Sequence, residues 1–194
     1  MWRIFEGKAE KYDKWYDKNK EIFEEEVKCI ENLIEGKNIA EIGVGTGRFA
    51  EKLGVEIGID ASLDMLKIAK KRKIEVVRGD AHNLPFKNST FDCLLFIVTI
   101  CFLDNPIKAL NEAKRVLKLN GYLIAAIVPA DSELGKRYME MGKQGHKFYS
   151  KAKFYSVKEI REMFENVGFK VIKSKDIKII SKSDFVCIKA VKKS

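Results

Sequence analysis

Several residue types are nearly missing from this 194-residue chain. It has one Gln (Gln144), two His, three Pro and two Trp, and no apolar run approaches 18 residues. The short apolar runs exclude a helix that crosses a membrane. Pro and Gly together number 16, too few for a collagen-like or low-complexity chain, while 46% hydrophobic residues exclude a disordered tail. The four cysteines, Cys29, Cys93, Cys101 and Cys187, contain no CxxC pair, which argues against a zinc or dithiol site. Cys29, Cys93 and Cys187 lie in helix- or strand-like apolar runs and read as small core residues. The N-terminus, MWRIFEGKAEKYDKWYD, lacks an apolar signal segment, so the expected location is the cytoplasm.

Charge is plentiful and lopsided. Lys and Arg number 37 against 28 Asp and Glu, for a net charge of +9. Such a surface suits nucleic acid, an anionic small molecule or an anionic membrane face. Thirty of the basic residues are Lys and 18 of the acids are Glu. Lys and Glu enrichment with few amides is the thermophile pattern, which explains much of the charge without a partner. The length suits a single domain with one substantial core.

Hydrophobic periodicity predicts alternating elements. A helix is expected over 21–34, then strands at 38–42, 55–60, 74–80 and 91–98. Helices are expected after the glycines at 48–53 and after Ser62, as far as Lys71. A further helix over 105–118 should end at Asn120-Gly121, before a fifth strand YLIAAIV. A helix over 157–166, closed by Gly168, precedes two or three strands without an intervening helix. The stretch 129–154 shows no clear element. This order predicts a doubly wound, mostly parallel α/β sheet whose last strand is antiparallel.

Three features gather where such sheets bind ligands. Glu41-Ile42-Gly43-Val44-Gly45-Thr46-Gly47 follows the first strand and opens a helix, so its glycines allow a tight turn and close backbone approach. The dinucleotide fingerprint GxGxxG does not fit, because Arg48 stands where it requires Gly, and there is no GxxxxGK[ST] run. Asp60, at the end of the second strand, can accept both ribose hydroxyls of a nucleoside. Asp80, at the end of the third, can accept from an exocyclic amine while the Ala81 N–H donates to a ring nitrogen.

With these motifs the chain resembles the class I S-adenosylmethionine (SAM)-dependent methyltransferases, in the broad group near the ubiquinone/menaquinone C-methyltransferases. The resemblance runs from about Phe5 to Ala190 and includes Glu41–Gly47, Asp60 with Ser62–Leu66, Gly79–Phe86, Phe91-Asp92, Ala109–Gly121 and Phe154–Phe169. It implies a single domain, 1–194, with a seven-stranded Rossmann-like sheet of order 3-2-1-4-5-7-6. An N-terminal arm (1–20) and a lid-like excursion (129–154) would complete it. It implies SAM as cofactor and S-adenosylhomocysteine as product. It places Glu41 near the methionine amino group, Gly43, Gly45 and Gly47 beneath the methionine portion, and Asp60 on the ribose. Asp80 would bind the adenine amine, with Met65 and Ala81 flanking the ring. Phe96 and Ile97 would lie beside the sulfonium, and Tyr12, in a Tyr12-Asp13 pair, would close over the cofactor.

The acceptor is less legible. The residues after the fourth strand, Thr99-Ile100-Cys101-Phe102, lack the Pro-Pro-aromatic run of adenine and glutamine N-methyltransferases and the Pro-Cys of cytosine C5 enzymes. Many relatives have two His where Cys101 and Phe102 stand. Cys101 reads as core-facing, and His82 as a residue beside the site. Between Lys136 and Lys153 six basic residues and one acid interleave with aromatics, a pattern suited to an anionic or aromatic acceptor. His146, Tyr149 and Tyr138 are the catalytic candidates there: His146 as a general base, the tyrosines as pocket hydroxyls. No metal is expected. The expected function is methyl transfer to a small molecule. The alternatives are transfer to RNA or a protein component, and a non-catalytic nucleoside-binding role.

Overall fold

The computed structural model describes residues 2–180 and 184–193. Residues 181–183, inside the run expected to form the terminal strands, lie outside the described residues, as do Met1 of the N-terminal arm and Ser194. Seven strands form one sheet of order β3-β2-β1-β4-β5-β7-β6. They are β1 (Ile39–Ile42), β2 (Ile57–Asp60), β3 (Glu75–Arg78), β4 (Phe91–Ile97), β5 (Leu117–Ile127), β6 (Phe169–Ile177) and β7 (Phe185–Lys192). The first five pair in parallel, and β7 is antiparallel to both β5 and β6. The doubly wound fold and strand order expected from the sequence are therefore present.

Among the described residues seven α-helices surround it: α1 (Ala9–Lys18), α2 (Lys20–Glu31), α3 (Arg48–Leu53), α4 (Leu63–Lys71), α5 (Pro106–Val116), α6 (Glu133–Lys143) and α7 (Val157–Val167). Their starts are chemically marked. Ser62, Asn105, Ser132 and Ser156 each accept a hydrogen bond from a backbone N–H three residues on, and Ser156 with Glu159 completes a capping box. Gly168 closes α7 at φ 92°.

Two apolar cores lie on opposite faces of the sheet. Along β4, Cys93, Leu95 and Ile97 enter one while Leu94 and Phe96 enter the other, the period-2 alternation of a strand buried on both sides. The core of Leu94 and Phe96 contains Phe91, Phe164 and Phe169 beneath α5 and α7, and that of Cys93, Leu95 and Ile97 joins Phe23, Phe49 and Tyr16 beneath α1, α2 and α3.

Two boundaries differ from the sequence reading. The helix expected to run to Lys118 ends at Val116, and β5 already begins at Leu117, paired with Phe91. Asn120-Gly121 does not separate helix from strand but forms a kink inside β5, with Asn120 at φ 61°, before pairing resumes at Tyr122 opposite Cys93. The featureless stretch 129–154 holds α6. Its periodicity is masked by Gly135 and Gly142, which stand where close approach is required. A Cβ on Gly135 would lie 1.9 Å from the Pro129 carbonyl oxygen, and one on Gly142 would lie 2.8 Å from that of Tyr149. No helix among the described residues is long and apolar enough to cross a membrane.

Candidate cofactor and acceptor site

A cleft opens at the C-terminal ends of β1, β2 and β4, where the strand order reverses. Its cavity volume is about 190 Å³, and its mouth opens to solvent. The glycine loop forms its floor. Gly43 and Val44 donate to the Ile59 carbonyl at 2.7 and 3.0 Å, which bends the chain over the end of β2. Gly43 has φ 76°, and a Cβ there would lie 2.4 Å from Thr99 Cγ2. Only glycine meets both constraints.

Asp60 organises the cleft. Its Oδ2 accepts from the Gly45 N–H at 2.9 Å and its Oδ1 from the Ser62 N–H at 2.8 Å. Burial raises its pKa even though these donors oppose the shift. Each oxygen keeps a further lone pair for a ligand hydroxyl. Asp80 is exposed at the opposite rim. His82 Nδ1 lies 2.5 Å from Asp80 Oδ1, so His82 braces Asp80, and burial of Asp80 is outweighed by His82 in holding its pKa below the usual value.

Below the loop, Glu41 is 2% exposed, and its Oε2 has no hydrogen-bond partner among the described residues. Burial, then the charge of Asp60, push its pKa well above the ordinary range. A buried carboxylate oxygen left unpaired is costly, so this position suits a ligand that brings a cationic N–H. Together, a two-hydroxyl acceptor, a rim acid, a glycine floor and an orphaned buried acid fit SAM. Its ribose, adenine amine and methionine ammonium supply the matching groups.

The comparisons decide the family. A methyltransferase-domain family model matches residues 40–125. An uncharacterized protein of Methanocaldococcus jannaschii is 45% identical over 188 residues, covering 96% of this chain and 91% of its own. A SAM-dependent methyltransferase from Thermotoga maritima, described as a possible histamine N-methyltransferase, has a crystal structure that superposes with a TM-score of 0.91. It shares 38% identity, and the match covers 100% of both chains. The chain belongs to the SAM-dependent methyltransferases. It is an enzyme that takes SAM as cofactor and releases S-adenosylhomocysteine. A demethylmenaquinone methyltransferase of Paenarthrobacter aurescens matches at 35% identity over 115 residues, covering 54% of this chain and 46% of its own.

In this methyltransferase the expected residues divide into two groups. Tyr12, Gly43, Gly45, Asp60, Met65, Asp80, Ala81 and Ile97 line the cleft. Glu41, buried at the end of β1, and Gly47, at the start of α3, do not. A Cβ on Gly47 would strike Ile74 and Ala69. Phe96, one residue from Ile97, is fully buried in the core on the other face of the sheet, as strand alternation requires. His146, Tyr149 and Tyr138 are also absent from the cleft lining. They form a stack, with His146 on Tyr149 at 4.3 Å and Tyr149 on Tyr138 at 4.2 Å between ring centroids. Phe148 links this stack to the cleft through Phe5, at 5.4 Å, and Tyr12, at 6.2 Å.

Several lining residues were not anticipated. Trp2, Phe5 and Phe102 add an aromatic wall, and Thr99 and Val98 close the end beside β4. Trp2 and Phe5 stand too far from any motif to be identified by spacing. The signal for Thr99 was the strand end itself, two residues past β4. Val98 has φ 50°, an unusual conformation for a β-branched residue, of the strained kind that clusters at functional sites. It borders both the main cleft and a small apolar cavity of about 20 Å³ lined by Ile100, Cys101, Ile127, Val128, Phe154 and Tyr155. Cys101 donates to the Val98 carbonyl at 3.4 Å, and burial pushes its pKa up to about 12, so it is a neutral wall thiol and not a thiolate nucleophile.

The N-terminal arm is fastened over the loop by Asp13. Arg48 donates to it through Nε at 2.9 Å and Nη2 at 2.7 Å, and Arg72 through Nη2 at 3.0 Å. Arg48 also pairs with Asp17 at 2.9 Å. The residue that breaks the dinucleotide fingerprint is thus the clamp for α1. Asp13 faces these arginines, and Tyr12 turns toward the cleft, its Cε1 being 3.9 Å from the position of a Gly45 Cβ.

Proposed function

We propose that this enzyme methylates a small molecule bound at the apolar, aromatic-walled end of the main cleft beside Val98. The observation that carries the reading is the enclosure of this end of the site. Phe5, Tyr12, Phe102 and Phe148 form a contiguous ring cluster over it, with Phe5 lying 5.1 Å from Phe102. A cleft walled by these rings suits a small acceptor better than a polymer, which needs an open groove. The Thermotoga relative's description as a possible histamine N-methyltransferase also fits a small acceptor. The partial match to demethylmenaquinone methyltransferases covers about half of this chain and supports no quinone assignment.

In this reading Asp60 holds the ribose hydroxyls, Asp80 and the Ala81 N–H hold the adenine, and Met65 flanks the ring. Gly43 and Gly45 bound the methionine portion, and Glu41 answers its ammonium. When bound, the cofactor supplies an activated sulfonium methyl. The chain's own task is then to align the acceptor and exclude water. Trp2, Phe5, Tyr12 and Phe102 do the excluding, and Ile97, Val98 and Thr99 form the wall along which the acceptor is aligned. His146, Tyr149 and Tyr138 support the cover through Phe148. The lid role of 129–154 follows from that contact.

The test uses methyl-labelled SAM with a cell extract separated by size. Label in the small-molecule fraction supports the reading. Label confined to RNA or protein would overturn it, and steep salt dependence of RNA binding would point to the RNA alternative.

A further inference from the structure

The Asp80 side chain is 65% exposed, an unpromising state for a group that must recognise a base. A free carboxylate on such a rim turns among rotamers and is screened by water. Ordering it against one ligand N–H costs entropy and returns little. The loop after β3 removes this freedom. The Asn83 N–H donates to the Asp80 carbonyl at 2.9 Å, and the two residues form a bridge that turns the chain back sharply. Inside this turn the His82 N–H donates to Asp80 Oδ1 at 2.9 Å, and His82 Nδ1 lies 2.5 Å from the same oxygen. Both bonds fall on Oδ1, so Oδ2 keeps its lone pairs for a ligand.

The imidazole is itself held from behind. The Asn105 N–H, at the start of α5, donates to His82 Nε2 at 3.2 Å. A ring nitrogen that accepts does not carry the proton, so His82 is the Nδ1–H tautomer and donates to Asp80. Asn105 is fixed in turn as the N-cap of α5, its Oδ1 accepting from the Lys108 N–H at 3.0 Å. The His82 side chain is 17% exposed and lines the cleft. A continuous chain of hydrogen bonds therefore runs from the start of a helix packed against the sheet to the carboxylate at the rim.

We propose that His82 is a positioning residue that fixes Asp80 with Oδ2 toward the adenine amine, and so makes the cofactor site selective for adenine over hypoxanthine. This rests on Asp80 binding the adenine, as in the proposed function. Adenine presents an N–H donor at this edge, whereas hypoxanthine presents a carbonyl oxygen. A fixed carboxylate attracts the first and repels the second. A mobile one turns away and discriminates poorly. His82 acts through Asp80, not on the methyl group.

The experiment is calorimetry with S-adenosylhomocysteine and S-inosylhomocysteine, which differ only at this edge of the base. The wild type should prefer the adenosyl compound at least about tenfold, from a hydrogen bond to a charged group. Asp80→Ala should lose most of that preference, and the Ala81 N–H facing the ring nitrogen supplies what remains. His82→Phe keeps the volume of the ring and removes both nitrogens. It should cut the preference by about threefold or more, the worth of one lost hydrogen bond. His82→Asn, with an amide N–H in place of Nδ1–H, should keep most of it. In the Asp80→Ala background His82→Phe should change nothing further. Thermal melts check that the variants fold, which is expected because Asn105 is exposed and water can meet its freed N–H. A preference unchanged in His82→Phe, lost equally in His82→Asn, or cut further by His82→Phe without Asp80 would overturn the proposal. A wild type that does not discriminate, or an Asp80→Ala variant that discriminates fully, would instead count against the assignment of Asp80 to the adenine.

Discussion

Replacing Asp13 with Ala should loosen the N-terminal arm and weaken cofactor binding together. The carboxylate is 15% exposed and receives three hydrogen bonds from two arginines that are themselves 15–19% exposed. Breaking a buried pair costs ~3–5 kcal/mol. Here Arg48 keeps Asp17, and Arg72 keeps Glu51 and the Thr46 carbonyl. These residual partners reduce the loss to about 2–3 kcal/mol. For a domain of this size that is a fall in Tm of about 5–10 °C. Because α1 carries Tyr12 and is preceded by Trp2 and Phe5, affinity for S-adenosylhomocysteine should fall about tenfold as well. Thermal melts and calorimetry on Asp13→Ala, Arg48→Ala and the double variant check both effects. The two losses should be strongly non-additive, since they remove the same bonds. A loss below about 0.5 kcal/mol, or simple additivity, would refute the clamp. Acid provides a second check. Burial alone would raise the Asp13 pKa, yet Arg48 and Arg72 hold it below the ordinary value. Its contribution is therefore present above the unfolded carboxyl pKa and is lost as pH falls through the lower folded one.

Gly43→Ala must accommodate a left-handed φ and a Cβ 2.4 Å from Thr99. It should cost at least about 2 kcal/mol and largely abolish cofactor binding, as read by denaturant melts and calorimetry. Asp60→Asn should weaken S-adenosylhomocysteine binding more than tenfold. Asp92 accepts from Lys118 and from the Asn38 and Lys37 N–H groups, which hold its pKa at about 2. Its stabilisation is thus present above pH ~4 and disappears toward pH ~2. Asp92→Asn should melt lower than wild type at pH 6, with the gap closing by pH 2. Glu26 has the opposite sign. A carboxyl raised to about 8 subtracts stability as pH climbs from the unfolded value toward 8. Glu26→Gln should therefore melt higher than wild type at pH 8. An equal or lower Tm would contradict the costly burial of the Glu26 carboxylate.

The sheet was legible because its central strands are short apolar runs between glycines and acids, as in Asn38–Gly45 and Phe91–Val98. Asp60, Gly43 and Gly45 were legible for the same reason, since strand ends in an open parallel sheet converge on one edge. Helix α6 was not, because its two close-approach glycines look like breakers in a single sequence. The Leu117 boundary was missed because Leu117 continues the helical stripe of α5 while already pairing with Phe91. Phe96 and Ile97 could not both face the cofactor, and period-2 alternation selects Ile97. Glu26 escaped notice because an acid within a helix reads as solvated, and only the tertiary packing of α2 shows that it is buried.

The proposed SAM site is the cleft at the ends of β1, β2 and β4. A crystal structure with S-adenosylhomocysteine tests it most directly. The expected density has ribose hydroxyls on Asp60, adenine between Met65 and Ala81 near Asp80, and the methionine portion over Gly43 and Gly45. Density elsewhere, or the ligand in this cleft with its ribose away from Asp60, would contradict it.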